Sequence, residues 1–460
     1  MTHDVSFLST LSLTDDQVNR GESARESHAG DWGTPADREV RPDAVVFPES
    51  TGDVSEVLSA AREHGVPVTP YAAGTGLEGN ATPVEAGISL DTTRMDEIVA
   101  FRPEDFQMVV QAGVMGDRVD ERAADVGLFF PPLPSSGGIS TVGGMVATDA
   151  SGMQTVKYGE VGDWVLALEA VLADGTVVET GSRAVKTSSG YNLGSLLLGN
   201  EGTLAVVTEI TLRLAGRPAQ IRGGRAVFED LGDAAGAVRD AVQSGVDLAK
   251  IELVDADAAR MATAYSGTDL PDTPLVFFEF HANHGIDAEI EFFRSIVDDH
   301  DAARFEVAAD AAMDDLWQAR KDLAFAIESY DPDLTPLHPG DVTVPISAYP
   351  DIVRYAKERG AEADITVPCF GHGGDGNVHY SVLVDEDDPA EVEAGEAVYR
   401  DVVHRAIDLG GTVTGEHGIG MGKREYLVPE HGPATVETMR SVKRALDPEG
   451  ILNPGKIFPE

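Results

Sequence analysis

Apolar and polar residues alternate along the first half of the chain in short runs that predict strands joined by helices. Residues 44–50 (AVVFPES) predict a buried strand, residues 54–65 (VSEVLSAAREHG) predict a helix capped by Asp53, and residues 66–73 (VPVTPYAA) predict the next strand. This order is typical of a βαβ unit. Further along, two strand-like runs flank the turn at residues 173–175, which indicates a hairpin.

Longer strand and helix patterns alternate in the second half. Residues 225–245 and 274–299 each place an apolar strand-like run before a helical period, as expected for an antiparallel sheet covered on one face by helices. We therefore predict an α+β protein. Its predicted parts are an N-terminal extension (1–37), a first domain of two α/β subdomains (38–217), a second domain of sheet and helices (218–410), and a C-terminal segment (411–460) that returns to the first domain and to the active site.

Composition narrows the classes of function. Of the 460 residues, 42% are hydrophobic, which excludes collagen-like, coiled-coil and wholly disordered chains. The 34 Lys and Arg against 79 Asp and Glu give a net charge of −45, which repels nucleic acid and anionic lipid. Only eight of the basic residues are Lys and the acids are spread along the chain, so we expect a halophilic surface adapted to high salt. An ordinary acidic protein is the alternative.

A single cysteine limits the redox chemistry that the chain can carry alone. Cys369 cannot form an internal disulfide, a four-cysteine zinc site or a self-contained iron–sulfur cluster, so electrons would have to leave through a partner.

The N-terminal sequence lacks the basic and apolar regions of a signal peptide. The long uncharged stretch at residues 126–148 contains three Pro and five Gly, which would break a membrane-spanning helix. We expect a cytoplasmic protein.

Three glycine-rich segments suggest a phosphate-bearing ligand. Residues 74–79 match G-x-G-x-x-G, but a Rossmann fingerprint must open a helix, and here Asn, Pro and Gly residues follow. Such a loop can still bind a pyrophosphate through backbone N–H groups, with a tight surface loop as the equal alternative. Residues 131–148 form a second segment of small residues, too glycine-rich for a helix, and residues 199–209 form a third that leads into a strand.

The order and spacing of these segments resemble the FAD-binding domain of the vanillyl-alcohol oxidase superfamily (PCMH type), from about Pro42 to the C-terminus. The resemblance implies that the first loop holds the FAD pyrophosphate and that the other two line the flavin. Many relatives attach FAD through a His in or near these loops, and none is present here, so we predict noncovalent FAD. The implied cofactor-binding residues are Ala73, Gly74, Thr75, Gly76, Leu77, Gly79, Pro132, Gly137, Ser140, Thr141, Gly144, Thr148, Glu201, Gly202, Val207 and Asn453.

Two further motifs combine imidazoles with a carboxylate. A glycine-rich turn between two strand-like runs can bring His372 and His379 to one end of a hairpin, and the motif G-E-H-G-I-G adds Glu416 and His417. Two His and one carboxylate form a three-ligand set that keeps a coordination position open, as a catalytic metal requires. Each His taken alone would more commonly be a surface residue, but their concentration in two motifs favours a site.

These motifs resemble those of the FAD-linked D-2-hydroxy-acid dehydrogenases, which carry G-H-x-G-D-G-N-x-H and G-E-H-G-I-G. The resemblance implies that His372, His379 and Glu416 bind a divalent metal, Zn or Mn, and that His417 is the catalytic base. It also implies that Arg320 grips the substrate carboxylate, a role that suits a permanently charged guanidinium. The substrate hydride would pass to the flavin, and an external quinone, cytochrome or electron-transfer protein would take the electrons.

Departures from the family pattern bear on the substrate. Enzymes for D-2-hydroxyglutarate have a Lys and an Asn near the positions that Gly340 and Ser381 occupy here. The second carboxylate of such a substrate would therefore lack these two partners in this chain. We therefore predict a D-lactate dehydrogenase, with a glycolate oxidase flavin subunit or a D-2-hydroxyglutarate dehydrogenase as enzymatic alternatives. A noncatalytic FAD-domain subunit of a larger complex is the alternative from another class. Peripheral attachment at the inner face of a membrane and a homodimer both stay open.

Overall fold

A computed structural model describes residues 2–308 and 310–459. The strands are β1 (Val18–Asn19), β2 (Ala44–Val46), β3 (Val68–Tyr71), β4 (Ile88–Asp91), β5 (Ile98–Arg102), β6 (Gln107–Gln111), β7 (Leu128–Phe129), β8 (Val165–Val171), β9 (Val177–Gly181), β10 (Val206–Arg213), β11 (Ala215–Gly216), β12 (Gln220–Val227), β13 (Leu248–Val254), β14 (Leu275–Ala282), β15 (Arg304–Ala308), β16 (Thr335–Thr343), β17 (Cys369–His372) and β18 (Asn377–Val384). The α-helices are α1 (Glu22–Ser27), α2 (Thr51–His64), α3 (Gly116–Ala124), α4 (Val142–Thr148), α5 (Thr155–Tyr158), α6 (Leu193–Leu197), α7 (Leu231–Gln243), α8 (Ala256–Ser266), α9 (Ile286–Asp299), α10 (Asp310–Lys321), α11 (Leu323–Glu328), α12 (Tyr349–Ala363), α13 (Pro389–Asp408), α14 (Leu427–His431) and α15 (Pro433–Leu446).

The chain divides into two compact units. Unit 1 contains Met1–Ser151, Glu160–Arg217 and Glu416–Glu460, and unit 2 contains Gly152–Gly159 and Pro218–Gly415. Unit 1 has a four-stranded sheet in the order β1-β2-β4-β3, a five-stranded sheet β5-β6-β10-β8-β9, and the pair β11-β7. Unit 2 has one seven-stranded sheet in the order β15-β12-β14-β13-β17-β18-β16. The mixture of helices with largely antiparallel sheets confirms the predicted α+β class.

The predicted βαβ unit lies in the first sheet of unit 1. Strands β2 and β3 both run parallel to β4, which lies between them, and α2 connects β2 to β3. The cap of α2 differs from the expectation. Ser50 is the N-cap and accepts a hydrogen bond from Asp53 N, while the Asp53 side chain completes a capping box. Gly65 ends the helix in the left-handed conformation with φ 62°.

Residues that looked like an N-terminal extension contribute to the core of unit 1. Phe7 and Leu8 are buried and pack in the cluster that includes Leu58 of α2 and Ile88 of β4. Burial of two large apolar side chains stabilises this segment by about 2 kcal/mol each. Residues 2–37 are therefore part of the compact unit and not a loose tail.

The second glycine-rich segment contains a helix that its composition did not suggest. Residues Val142–Thr148 form α4, whose N-cap Thr141 accepts a hydrogen bond from Gly144 N. The prediction of a helix-free loop is wrong because this cap and the burial of Val142, Met145 and Val146 outweigh the poor helix propensity of two glycines.

Both faces of the unit 2 sheet are covered by helices, and not one face as expected. Every residue of β14 from Leu275 to His281 is buried. Phe278 packs against Phe293 of α9, whereas its neighbour Phe277 packs against Trp317 of α10. Since successive side chains of a strand point to opposite faces, these contacts place α9 and α10 on opposite sides of the sheet.

The turn between β17 and β18 requires a glycine. Gly376 has φ +84°, and a Cβ there would lie 2.1 Å from the carbonyl oxygen of Val344. The turn brings the two strands into antiparallel register, with Phe370 opposite His379. No helix among the described residues is both long and apolar enough to cross a membrane.

Candidate active site

The two motif histidines of unit 2 meet on one face of the seven-stranded sheet. His372 ends β17 and His379 lies on β18, and their ring centroids are 5.1 Å apart with the rings nearly perpendicular. Each is only 7% exposed. The predicted hairpin thus places both imidazoles side by side, as a shared metal ion would require.

Two carboxylates on neighbouring strands face these imidazoles. Glu252 of β13 is fully buried, and its Oε1 lies 2.8 Å from His372 Nδ1. Asp341 of β16 is also fully buried, and its Oδ1 lies 3.9 Å from His379 Nδ1. Because His372 Nδ1 is hydrogen-bonded to a carboxylate, Nε2 is the nitrogen that this ring would offer to a metal.

Arg320 approaches the same face from α10. It is 5% exposed, and its Nε and Nη2 lie 2.8 and 2.5 Å from Glu252 Oε2. Its guanidinium carbon also lies 4.8 Å from the ring centroid of Phe370. The Arg320 guanidinium is therefore buried and held by the Glu252 carboxylate and the Phe370 ring, unlike the side chain of a solvent-exposed helix residue.

The segment that leads to Glu416 is anchored within unit 2. Asp341 Oδ2 accepts hydrogen bonds from Thr414 Oγ1 at 2.7 Å and from Gly415 N at 2.8 Å. Glu416 follows directly in the chain as the first residue of the last segment of unit 1, where its Oε2 accepts a hydrogen bond from Ser151 Oγ at 3.1 Å. Burial, together with the charges of Asp149, Asp163 and Glu416, raises the pKa of the nearby Glu160 to about 7.

The three predicted flavin segments converge within unit 1. Thr75 of the first loop and Ser140 of the second have hydroxyl oxygens 3.2 Å apart. Asn453, near the C-terminus, donates from Nδ2 to the carbonyl oxygens of Asn80 at 2.9 Å and Glu201 at 2.7 Å. The structure therefore brings together residues from all three loops and from the C-terminal segment.

The first loop has the backbone that a pyrophosphate site needs. Within the described residues, the amides of Ala73 to Leu77 donate no hydrogen bond to a protein group, and these residues are only partly buried. Adjacent amides without a protein acceptor can bind phosphate oxygens directly. This part of unit 1 fits the predicted cofactor.

The other predicted cofactor residues occupy several kinds of local structure. Thr141 caps α4, which also contains Gly144 and Thr148. Val207 is a buried residue of β10. Pro132 and Gly137 lie in the segment before α4, and Gly202 follows α6 with φ +68°.

Glu201 makes contacts that the sequence did not suggest. Its carboxylate accepts hydrogen bonds from Ile419 N and Gly420 N, both at 2.8 Å, and from Asn80 Nδ2 at 2.6 Å. Burial raises the pKa of Glu201, and the three donors act in the opposite direction. The carboxylate thereby fixes the backbone two and three residues after His417, the predicted base.

His417 itself lies among residues that the motif analysis missed. Its carbonyl oxygen accepts a hydrogen bond from Asn80 at 3.3 Å, and its Nδ1 lies 3.8 Å from Glu78 Oε1. Lys423, which is 1% exposed, lies 3.1 Å from the same Glu78 oxygen. Glu78 could have been found from the sequence, because it is a charged residue within the first glycine loop. Glu252 and Asp341 could have been found in a similar way, because each is a charged residue inside a strand-like run.

Comparison with known proteins finds matches over most of the chain. The family described as FAD linked oxidases, C-terminal domain, matches residues 217–457, and the FAD binding domain family matches residues 42–181. A probable mitochondrial D-lactate dehydrogenase from Danio rerio is 36% identical over 449 residues, which cover 96% of this chain and 89% of the relative. Glycolate oxidase subunit GlcD from Bacillus subtilis (strain 168) is 33% identical, with 96% and 95% covered.

Solved structures agree at the level of the fold. 4-Ethylphenol oxidase from Gulosibacter chungangensis superimposes with a TM-score of 0.75 at 18% identity, covering 99% of this chain and 96% of that one. Together with the two family matches and the relatives above 30% identity, the glycine loops and the histidine hairpin show that this chain is an FAD-dependent oxidoreductase of the FAD-linked oxidase family.

Proposed function

We propose that the protein oxidises a D-2-hydroxy acid, with D-lactate as the substrate and pyruvate as the product. The observation that carries the proposal is the unit 2 cluster, in which His372 and the buried Arg320 guanidinium share Glu252 and the His379 imidazole lies beside that of His372. Imidazoles suit a divalent metal and the guanidinium suits a carboxylate, so the cluster has chemistry for both functional groups of a 2-hydroxy acid. The curated relatives named D-lactate dehydrogenase support the same substrate.

The cofactor and metal follow from the donor sets. We infer noncovalent FAD in the three loops of unit 1, where it would supply the acceptor for the hydride from the substrate Cα. We infer a divalent metal, Zn or Mn, held by His372, His379 and Glu416, which would supply a Lewis acid for the substrate hydroxyl. The donor set fits because it combines two neutral imidazoles with one carboxylate.

Protein residues would orient the substrate and move its proton. Arg320 turns Nε and Nη2 toward Glu252, so a substrate carboxylate would use Nη1 and the second N–H of Nη2. His417 would take the hydroxyl proton, and a positioned general base contributes about 10²- to 10⁴-fold. Glu201 and Asn80 hold the backbone around His417 through hydrogen bonds from Ile419 N and to the His417 carbonyl oxygen.

The backbone of β16 favours a monocarboxylate. A Cβ at Gly340 would lie 2.3 Å from the carbonyl oxygen of Tyr380, so this strand position excludes a lysine side chain without a backbone shift. The protein therefore lacks, at this position, the cation that would bind the second carboxylate of D-2-hydroxyglutarate. Glycolate oxidation is the second candidate, because glycolate has the same hydroxyl and carboxylate and a glycolate oxidase subunit is among the relatives.

Anaerobic reduction of the bound flavin tests the proposal without assuming an electron acceptor. The FAD-loaded protein would be mixed with D-lactate, L-lactate, glycolate or D-2-hydroxyglutarate in high salt, and the flavin absorbance followed. We expect D-lactate to reduce it fastest. Equal or faster reduction by glycolate would move the assignment to the second candidate, and no reduction by any hydroxy acid would support a noncatalytic subunit.

Two variants separate the role of the catalytic base from that of the residue that binds the substrate carboxylate. His417→Ala should retain metal and FAD and lose about 10²- to 10⁴-fold in reduction rate, whereas Arg320→Ala should raise KM strongly and lower kcat as far as substrate orientation depends on Arg320. His431→Ala, which removes a partly exposed histidine beside Glu430, is the control. Metal loss in His417→Ala would show that this residue is a ligand and not the base.

A further inference from the structure

Glu252 is a buried charge in the middle of a strand, and it contacts two residues with different proposed tasks. Its side chain has no exposed surface. Oε1 lies 2.8 Å from His372 Nδ1, and Oε2 lies 2.8 Å from Arg320 Nε and 2.5 Å from Arg320 Nη2. One carboxylate therefore contacts a residue inferred to bind metal and a residue inferred to bind the substrate carboxylate.

Sheet register fixes the first of these contacts. Glu252 of β13 lies directly opposite His372 of β17 in the antiparallel ladder. Opposite residues point to the same face of a sheet, so the carboxylate and the imidazole are held by the backbone and not by a flexible loop. Arg320 comes from α10 on that face, and only its side chain has to be positioned.

The electrostatic requirement is stricter than for a simple ion pair. A buried carboxylate needs a compensating charge, which Arg320 supplies, and a hydrogen-bond donor for its second oxygen. That donor is a proton on His372 Nδ1, which selects the tautomer whose lone pair is on Nε2. A change at Glu252 would thus affect the imidazole and the guanidinium together.

We propose that Glu252 is a positioning residue that orients His372 for metal binding and Arg320 for the substrate carboxylate. The inference rests on the proposed function, since it takes the metal and substrate roles from there. It adds that metal affinity and substrate affinity are set in part by one side chain, which lies 120 residues from the histidine motif in sequence.

The same sheet face offers a matched control. Glu279 of β14 is a buried carboxylate, 2.8 Å from His281 Nε2 and 2.9 Å from Lys250 Nζ. It therefore has an imidazole and a cation as partners, as Glu252 does, but His281 belongs to neither motif. A Glu279→Gln variant has the same chemical change in a similar environment without touching the inferred ligands.

The experiment compares Glu252→Gln with Glu279→Gln in the FAD-loaded protein. The Zn²⁺ dissociation constant is measured by competition with a chelator, FAD content by absorbance, and KM and kcat for D-lactate with Zn²⁺ in excess. We expect Glu252→Gln to bind Zn²⁺ about 10- to 100-fold more weakly, in line with other residues that orient metal ligands. Excess Zn²⁺ should restore much of kcat but leave KM raised, since Arg320 stays misplaced. Glu279→Gln should match the wild type in all these values.

A second variant keeps the test valid if Glu252→Gln folds poorly. Glu252→Asp retains the charge but shortens the side chain by one methylene, and it should also weaken Zn²⁺ binding and raise KM. Unchanged Zn²⁺ affinity and KM in the folded variant would overturn the inference, as would equal losses in Glu279→Gln.

Failure of the proposed function has a different signature. His372→Ala serves as the reference for loss of a ligand. If the wild type binds Zn²⁺ no more tightly than His372→Ala, the metal site itself is wrong and both proposals fall. If His372→Ala loses Zn²⁺ while both Glu252 variants bind it as the wild type does, only the positioning role is refuted.

Discussion

Replacing Glu201 by Gln tests how the segment after the predicted base is held in place. The carboxylate accepts three hydrogen bonds, from Ile419 N, Gly420 N and Asn80 Nδ2. An amide of the same shape has one oxygen and one NH₂ group, so at least one of these donors would face another donor. A hydrogen bond to a charged group contributes about 1.5–3 kcal/mol, and an unsatisfied buried donor costs about 1–3 kcal/mol.

We therefore expect Glu201→Gln to lower the free energy of unfolding by about 2–4 kcal/mol and to slow flavin reduction. Equilibrium urea unfolding of the FAD-loaded protein gives the first value, and stopped-flow reduction by D-lactate gives the second. Glu209→Gln is the control, because Glu209 lies on the adjacent strand β10 and is partly exposed, so its change should stay within about 0.5 kcal/mol.

Two results would refute this reasoning. If Glu201→Gln has the same free energy of unfolding and the same rate of flavin reduction as the wild type, the carboxyl group does not anchor the segment as an anion. If the variant loses FAD without a change in reduction rate per bound flavin, Glu201 serves the cofactor, as the sequence resemblance implied, and not the backbone around His417.

Three further predictions concern the cofactor and the charges. Denaturation should release FAD into the supernatant, and flavin that stays on the precipitated chain would contradict noncovalent binding. Burial opposes ionisation of Glu279, but the His281 hydrogen bond and the Lys250 charge outweigh it and lower the pKa of Glu279 to about 2. The stability that ionised Glu279 contributes is present above its unfolded pKa and is lost as the pH falls toward 2. Between pH 6 and 3.5 the free energy of unfolding in urea should therefore fall by about 1 kcal/mol more in the wild type than in Glu279→Gln. Finally, the net charge of −45 predicts a higher Tm in 2 M KCl than in 0.1 M, and an equal or lower Tm would contradict the high-salt surface.

The sequence by itself determined the features that depend on neighbouring residues. The glycine loops, the histidine hairpin and the α+β class could be predicted because each is carried by contiguous residues or by local periodicity. Neighbouring residues also distinguished the first loop from a Rossmann fingerprint, since the residues after Gly79 cannot begin a helix. Helix α4 was missed because tertiary burial and one capping bond outweighed its glycine content.

Only the tertiary structure decided which distant residues meet. Glu252 is paired with His372 because two strands far apart in sequence are neighbours in the sheet in a particular register, and a one-residue slip would turn the carboxylate to the other face. Glu201 is similarly far in sequence from Ile419, whose amide it accepts. Sequence periodicity shows which residues share a face of one element, but it contains no information on register between elements, so the residues that orient the site could be named only from the structure.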